Sequence, residues 1–277
     1  LQHQISSFQS ADGLKIYTES WLPDAAPKAV VLIVHGYAEH IGRYVHVADY
    51  LVGRGYAVYG LDHRGHGRSD GLRAYFDNID QPVDDLKRYF DSVKASHAGR
   101  KIFMYGHSMG SLIALAFALR YQDQLAGLIL SGTAVNADTT VSPTLVAISG
   151  VLSRIIPKTT LTPPLPSNAL SHDPAVVSAY DSDPLNYRGN WRIRMGAVLL
   201  QQGKILRERV AELTLPLFIM HGKEDAVTPV SGAEVIASKA RSADKTLKIY
   251  PGLFHEIHNE PEKATILADI GDWLDKH

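Results

Sequence analysis

The feature that most constrains this chain is a run with no polar member, Val30-Val31-Leu32-Ile33-Val34. A strand with one face in water alternates apolar and polar residues, so an unbroken, mostly β-branched run marks a strand buried on both faces. Runs of the same kind recur at Tyr56 to Leu61, Ile102 to Tyr105, Leu128 to Leu130 and Leu217 to Met220, and Leu247 to Tyr250, with Lys248 inside it, is read as a further strand of that type. Helical periodicity separates most of them: Tyr44 to Arg54, Val83 to His97, Ser111 to Tyr121, Gly232 to Ala240 and Pro261 to Asp275. Strand and helix in alternation, with right-handed crossovers, predict an α/β fold whose mostly parallel central sheet is flanked by helices. Phe8-Gln9 and Leu14 to Trp21, split by Ala11-Asp12-Gly13, predict an opening β-hairpin.

One stretch breaks the alternation. Between about Thr133 and Ile193 no buried-strand run occurs; an amphipathic segment, Val146 to Ile156, and a proline-dense loop, Pro157 to Pro166, take its place. A long strandless insertion in an α/β domain is more often a functional lid than a linker. The expected organisation is a core formed by 1–132 and 194–277, with 133–193 as a helical cap over the C-terminal edge of the sheet. On the cap, Ala147, Ile148, Val151, Leu152, Ile155 and Ile156 form an apolar stripe at helical spacing. It can face the core, line an acyl tunnel or dock on lipid.

Composition removes several functions. The chain of 277 residues has no cysteine, which excludes disulfides, thiolate metal sites and a cysteine nucleophile. Its formal net charge of −1, without a Lys/Arg cluster, gives no footprint for nucleic acid. No apolar segment approaches the roughly 20 residues that span a bilayer. The start, Leu1-Gln2-His3-Gln4, does not read as a signal peptide. A cytoplasmic protein, peripheral to membranes if it meets them, is expected; a leader already removed stays open.

Gly106-His107-Ser108-Met109-Gly110 fits G-x-S-x-G, after one predicted strand and before one predicted helix. In that context the pattern is the nucleophile elbow of the α/β-hydrolase fold: the serine sits on a strained turn and its hydroxyl projects above the sheet. The triad order of that fold is Ser, acid, His. Past the strand Leu217 to Met220 stands His221-Gly222-Lys223-Glu224-Asp225, where Asp225 is the preferred acid and Glu224 the competitor. Past Leu247 to Tyr250, His255 is the preferred base and His258 competes, one of thirteen histidines selected by position. The backbone N–H of Met109, and that of Tyr37 in the loop after Val34, are the expected oxyanion donors. The clusters Asp62-His63-Arg64-Gly65-His66-Gly67 and His255-Glu256-Ile257-His258 invite a metal reading, but neither has H-E-x-x-H spacing, so no metal is expected. A serine at 108 argues against epoxide hydrolases and dehalogenases, which use an aspartate there.

With these residues in view, the chain resembles the monoacylglycerol lipase family over essentially its whole length. His35 to Tyr44 looks like that family's oxyanion-loop motif, Asp62 to Gly71 its D-H-x-G-H-G-x-S-x-G loop, and Tyr180 to Leu185 its cap-exit segment. The resemblance implies a Ser108, Asp225, His255 triad with Tyr37 and Met109 as oxyanion donors. It also implies a polar pocket on the glycerol side near Glu39, Arg43, Tyr180 and His258, residues that would serve equally as a structural salt-bridge network. Tyr37 departs from the small residue common in eukaryotic members, and its ring would narrow the site. The function so implied is serine ester hydrolysis of monoacylglycerol to glycerol and fatty acid, without a cofactor, on a lipid ester substrate and with transient membrane contact through the cap. A broad carboxylesterase or lysophospholipase on the same triad is the alternative; a non-catalytic receptor is disfavoured by the presence of all three triad candidates.

Overall fold

The computed structural model describes residues 1–277, apart from the side chains of Thr140, Pro143 and Leu145. The chain runs β1 (Gln2–Gln9), β2 (Lys15–Leu22), β3 (Ala29–Val34), α1 (Val45–Gly53), β4 (Tyr56–Leu61), α2 (Asp80–Ser96), β5 (Ile102–His107), α3 (Met109–Tyr121) and β6 (Gly127–Ser131). It continues with α4 (Pro143–Ile155), β7 (Thr160–Thr162), α5 (Pro174–Ser182), β8 (Trp191–Arg192), α6 (Ile193–Arg209), β9 (Leu217–Gly222), α7 (Ser231–Lys239), β10 (Lys245–Tyr250) and α8 (Lys263–Lys276). An eight-stranded sheet has the order β1-β2-β4-β3-β5-β6-β9-β10. Its strands are parallel from β4 to β10, with β1 and β2 added antiparallel at one edge.

Side chains alternate along a strand, so each unbroken apolar run feeds two cores at once. From β3, Val30, Leu32 and Val34 join Leu86 and Phe90 of α2 and Leu112 and Phe117 of α3 in one core. Val31 and Ile33 point the other way, to a core with Leu51 of α1 and Ile266 and Trp273 of α8. The register aligns Val34 with Gly106 and Gly106 with Leu130, so the loops after β3, β5 and β6 emerge side by side. Tyr250 is level with Gly222, so the loops after β9 and β10 leave at the same edge.

The hairpin is longer than expected. β1 starts at Gln2, well before Phe8. Nearly all of it is exposed because it is the edge strand, so the apolar alternation that marks a half-buried strand is absent. Helix α6, of 17 residues, has no counterpart in the expected elements. Gly196, Gly203 and the polar pair Gln201-Gln202 dilute its stripe, yet Ile193, Met195, Leu199 and Leu206 are buried where it packs on α4 and α3. A Cβ at Gly203 would lie 2.8 Å from the Ala134 carbonyl, so the helix needs glycine to cross that backbone. The expected cap boundary at 193/194 falls in the first turn of this helix.

Between β6 and β9 the chain forms α4, α5, α6 and the small antiparallel pair β7–β8. The α4 stripe does not face the core: Ile148, Val151, Ile155 and Ile156 are exposed, as is Leu161 of β7. Among the described residues no helix is long and apolar enough to cross a membrane.

Candidate active site

Strand β5 passes directly into α3, and the single residue between them is Ser108, with φ +54° and ψ −121°. A non-glycine residue there stores roughly 1–3 kcal/mol of strain, which persists only where the surroundings enforce it. They do. A Cβ at Gly110 would lie 2.0 Å from the Val34 carbonyl oxygen, and one at Gly106 2.7 Å from that of Gly110, so α3 sits against β3 and β5 as closely as backbone allows.

The Ser108 Oγ is 2.9 Å from Nε2 of His255, and Nδ1 of His255 is 2.7 Å from Oδ2 of Asp225. Asp225 is held in turn. Its Oδ1 accepts the N–H groups of Val227 (2.8 Å) and Thr228 (2.9 Å), an Asx-type turn. Its Oδ2 also accepts the Thr228 hydroxyl at 2.9 Å and lies 3.1 Å from His221 Nε2. Burial alone would raise this carboxyl, but His255 and His221 hold it far below the usual carboxylate range. Burial would likewise lower His255; the Asp225 carboxylate outweighs it and leaves the imidazole above its ordinary 6.5. The competitors stand elsewhere. Glu224 accepts the Gly252 N–H at 2.6 Å, and His258 Nδ1 is 3.2 Å from the Tyr105 hydroxyl, beneath the site.

Among the described hydrogen bonds, none takes up the N–H of Tyr37 or of Met109. Met109 is the first residue of α3, where an N–H has no carbonyl one turn back. The loop that carries Tyr37 is tied from below by Glu39, whose Oε1 accepts the Gly36 N–H at 2.6 Å and the Tyr44 hydroxyl at 2.7 Å. Arg43 donates to Glu39 at 2.7 Å and grips Glu256 in bidentate fashion at 2.6 and 2.7 Å, while its guanidinium lies over the Tyr180 ring. Burial pushes Glu39 up; in Glu256 burial is overcome and Arg43 holds the carboxyl below its usual range.

The histidine-rich loop after β4 is structural in its contacts. The Asp62 carboxylate accepts the N–H groups of Ile41 (2.8 Å) and Arg68 (2.7 Å), and a Cβ at Gly67 would overlap it. Burial drives His63 and His66 down, to about 3 and about 4. Among the described residues no group of three His, Asp or Glu is arranged to hold a metal ion.

A cavity of about 440 Å³ opens over Ser108 and Met109. Its walls come from Tyr37 in the loop after β3, Pro164 to Pro166 after β7, Trp191 of β8, and Ile193 and Leu199 of α6. Glu39, Arg43, Tyr180 and His258 are not among its lining residues; all are buried or nearly so in the network below the loop that carries Tyr37.

A family model described as serine aminopeptidase, S33, matches residues 25–262. The chain is 40% identical over 271 residues to the monoacylglycerol lipase of Mycolicibacterium smegmatis, covering 98% of this chain and 96% of that one. The chain belongs to the monoacylglycerol lipase family of α/β-hydrolases. With membership of the monoacylglycerol lipase family go the fold and the enzyme class, carboxylic ester hydrolase. A soluble variant of the Saccharomyces cerevisiae monoglyceride lipase, solved with a substrate analogue, superposes with a TM-score of 0.87 at 26% identity, over 100% of this chain and 95% of that one. A thermostable carboxyl esterase from Bacillus coagulans, solved with glycerol, gives 0.88 at 25% identity, over 100% and 99%.

Sequence reasoning did not single out Thr228, His221 or Trp191. Thr228 was findable in part, since an Asp side chain commonly bonds the backbone two residues on, a turn that brings the next residue, Thr228, beside the Asp225 carboxylate. Trp191 carried no signal: it stands in Gly189-Asn190-Trp191-Arg192, without periodicity of either kind.

Proposed function

We propose that this chain hydrolyses monoacylglycerol to glycerol and a free fatty acid through an acyl-enzyme on Ser108. One observation carries the reading: a serine hydroxyl 2.9 Å from an Asp-paired imidazole opens into a largely apolar cavity of about 440 Å³. That volume lies in the range of sites for small lipophilic ligands.

His255 accepts the Ser108 proton as the oxygen attacks the ester carbonyl, and Asp225 stabilises the imidazolium and fixes its tautomer. The N–H groups of Tyr37 and Met109 receive the oxyanion, each worth roughly 3–4 kcal/mol to the transition state. As the carbon–oxygen bond breaks, His255 returns its proton to the departing glycerol oxygen. Water then repeats the sequence on the acyl-serine and releases the acid. The exposed Ile148, Val151, Ile155, Ile156 and Leu161 dock the cap on a lipid surface, so the enzyme works as a peripheral protein.

A second reading, a broad carboxylesterase, is favoured by the likeness to the glycerol-bound esterase. A panel of mono-, di- and triacylglycerol, lysophospholipid and short p-nitrophenyl esters separates the two by kcat/KM. Long-chain monoacylglycerol is expected to lead; a flat profile or a lead for short esters selects the esterase. A fluorophosphonate that labels the wild type but leaves Ser108→Ala unlabelled is expected, and labelling of both rejects the acyl-enzyme on Ser108.

A further inference from the structure

The cap and the oxyanion loop meet at one aromatic pair. The ring of Tyr37 lies flat on the indole of Trp191, centroids 3.7 Å apart and planes at 14°. The edge of the His66 ring, at 5.8 Å and 75°, supports Tyr37 on its core side. The Tyr37 hydroxyl is buried without a partner among the described residues, so ring packing rather than a hydrogen bond fixes this side chain.

The backbone around it is divided between the two bodies. Gly36 is held from the core by Glu39 at 2.6 Å. The next residue but one, Ala38, has φ +64°, a left-handed conformation that a non-glycine residue keeps only under constraint. Its carbonyl accepts the Tyr187 N–H at 3.0 Å, from the segment between α5 and β8, and the Tyr180 hydroxyl at 3.4 Å, from α5 itself. Trp191 is itself anchored: it pairs with Thr162 across β7–β8, and its neighbour Arg192 donates to the Arg73 carbonyl at 2.9 Å. Core contacts therefore hold the Gly36 side of the Tyr37 N–H, the Gly36 carbonyl lying 2.8 Å from His35 Nδ1, while cap contacts hold the other side through the Tyr37 ring and the Ala38 carbonyl.

We infer that Trp191 is a positioning residue for the oxyanion hole, so that seating of the cap completes the hole. This rests on the hydrolase reading above. An oxyanion donor works only within a few tenths of an ångström of its place, and losing one entirely costs roughly 10²–10³ in kcat. Removing the stack loosens the donor without deleting it, so a smaller loss, about tenfold, is expected. A residue that only walls the acyl cavity would instead change KM for long chains.

The test compares wild type, Trp191→Phe and Trp191→Ala, with functional enzyme counted by fluorophosphonate titration. Two substrates are used, p-nitrophenyl acetate, whose acyl group is too short to fill the cavity, and a long-chain monoacylglycerol. Affinity for an alkyl boronic acid, which forms a tetrahedral adduct on serine, reports the hole directly. Trp191→Ala is expected to lose about tenfold in kcat on both esters and a similar factor in boronic acid affinity, with Trp191→Phe recovering most of both. Wild-type kcat on p-nitrophenyl acetate and unchanged boronic acid affinity in Trp191→Ala would overturn the inference, whatever happens to long-chain KM. If Trp191→Ala fails to fold, Trp191→Leu carries the same comparison. A wild type inactive on both esters would sink the hydrolase reading itself, a distinguishable failure.

Discussion

Replacing Asp225 by asparagine tests the proton path most sharply, because the structure dictates which way the new amide must sit. The Oδ1 position faces two fixed backbone donors, the N–H groups of Val227 and Thr228 at 2.8 and 2.9 Å. An NH₂ there would set donor against donor, at a cost of roughly 1–3 kcal/mol for each bond left unmade. The Oδ2 position faces groups that can adapt: the Thr228 hydroxyl and the rings of His255 and His221. The amide oxygen therefore takes the first position and the NH₂ the second, 2.7 Å from His255 Nδ1. Nδ1 must then accept, the proton moves to Nε2, and Nε2 no longer has a lone pair for the Ser108 hydroxyl. The wrong tautomer costs about 10⁴ in kcat in the serine-protease triad, equivalent to roughly 5–6 kcal/mol, and a loss of that order is expected here. Initial rates on a soluble short ester, normalised to folded protein by circular dichroism, give the number. The control is Glu224→Gln, at a side chain that among the described hydrogen bonds accepts only the Gly252 N–H, and it should stay within about threefold of wild type. A loss below tenfold in Asp225→Asn, or a large loss in Glu224→Gln, would refute the assignment of the acid.

Three further outcomes follow from particular contacts. His255 must be neutral to act, and its pKa is raised, so activity is full above the folded value and falls as pH drops through it; the acidic limb of kcat/KM should lie above 6.5, and a limb centred below that value contradicts the Asp225 contact. Arg43→Ala strands the carboxylates of Glu39 and Glu256 in the interior, which costs roughly 3–5 kcal/mol and, for a chain of this size, lowers Tm by about 6–20 °C; a calorimetric shift under 3 °C would show that the network contributes little. Val151→Asp with Ile155→Asp, both on the exposed face of α4, should weaken sedimentation with phosphatidylcholine vesicles at least fivefold and leave kcat on a soluble ester unchanged; undiminished vesicle binding removes the cap from the docking surface.

Residues buried on both sides of the sheet announced themselves. The runs at Val30 to Val34, Tyr56 to Leu61 and Ile102 to Tyr105 coincide with β3, β4 and β5 to within a residue or two, because nothing polar is tolerated there. Elements whose burial depends on a distant partner did not. β1 is polar because it is an edge, and α6 carries glycines because it crosses the Ala134 backbone, a contact that no local pattern encodes. The same division runs through the site. Ser108 was legible from its neighbours Gly106 and Gly110, whose missing Cβ atoms let α3 approach β3 and β5. Asp225 and His255 were legible as polar residues just past strand ends, although Glu224 and His258 fitted nearly as well.

By itself the sequence determined most of the interior strands and the edge of the sheet at which the candidate site residues emerge, since both follow from hydrophobic run length and local turn chemistry; it did not determine that Leu247 to Tyr250, expected to be buried on both faces, forms the exposed edge strand β10. Tertiary structure decided between neighbours and set their distances: it joined His255 rather than His258 to Ser108, locked Arg43 to Glu256 beneath the loop that carries Tyr37, and laid Trp191 on Tyr37. Those outcomes depend on which loops meet in space, and contacts between residues more than a hundred positions apart leave no periodicity along the chain.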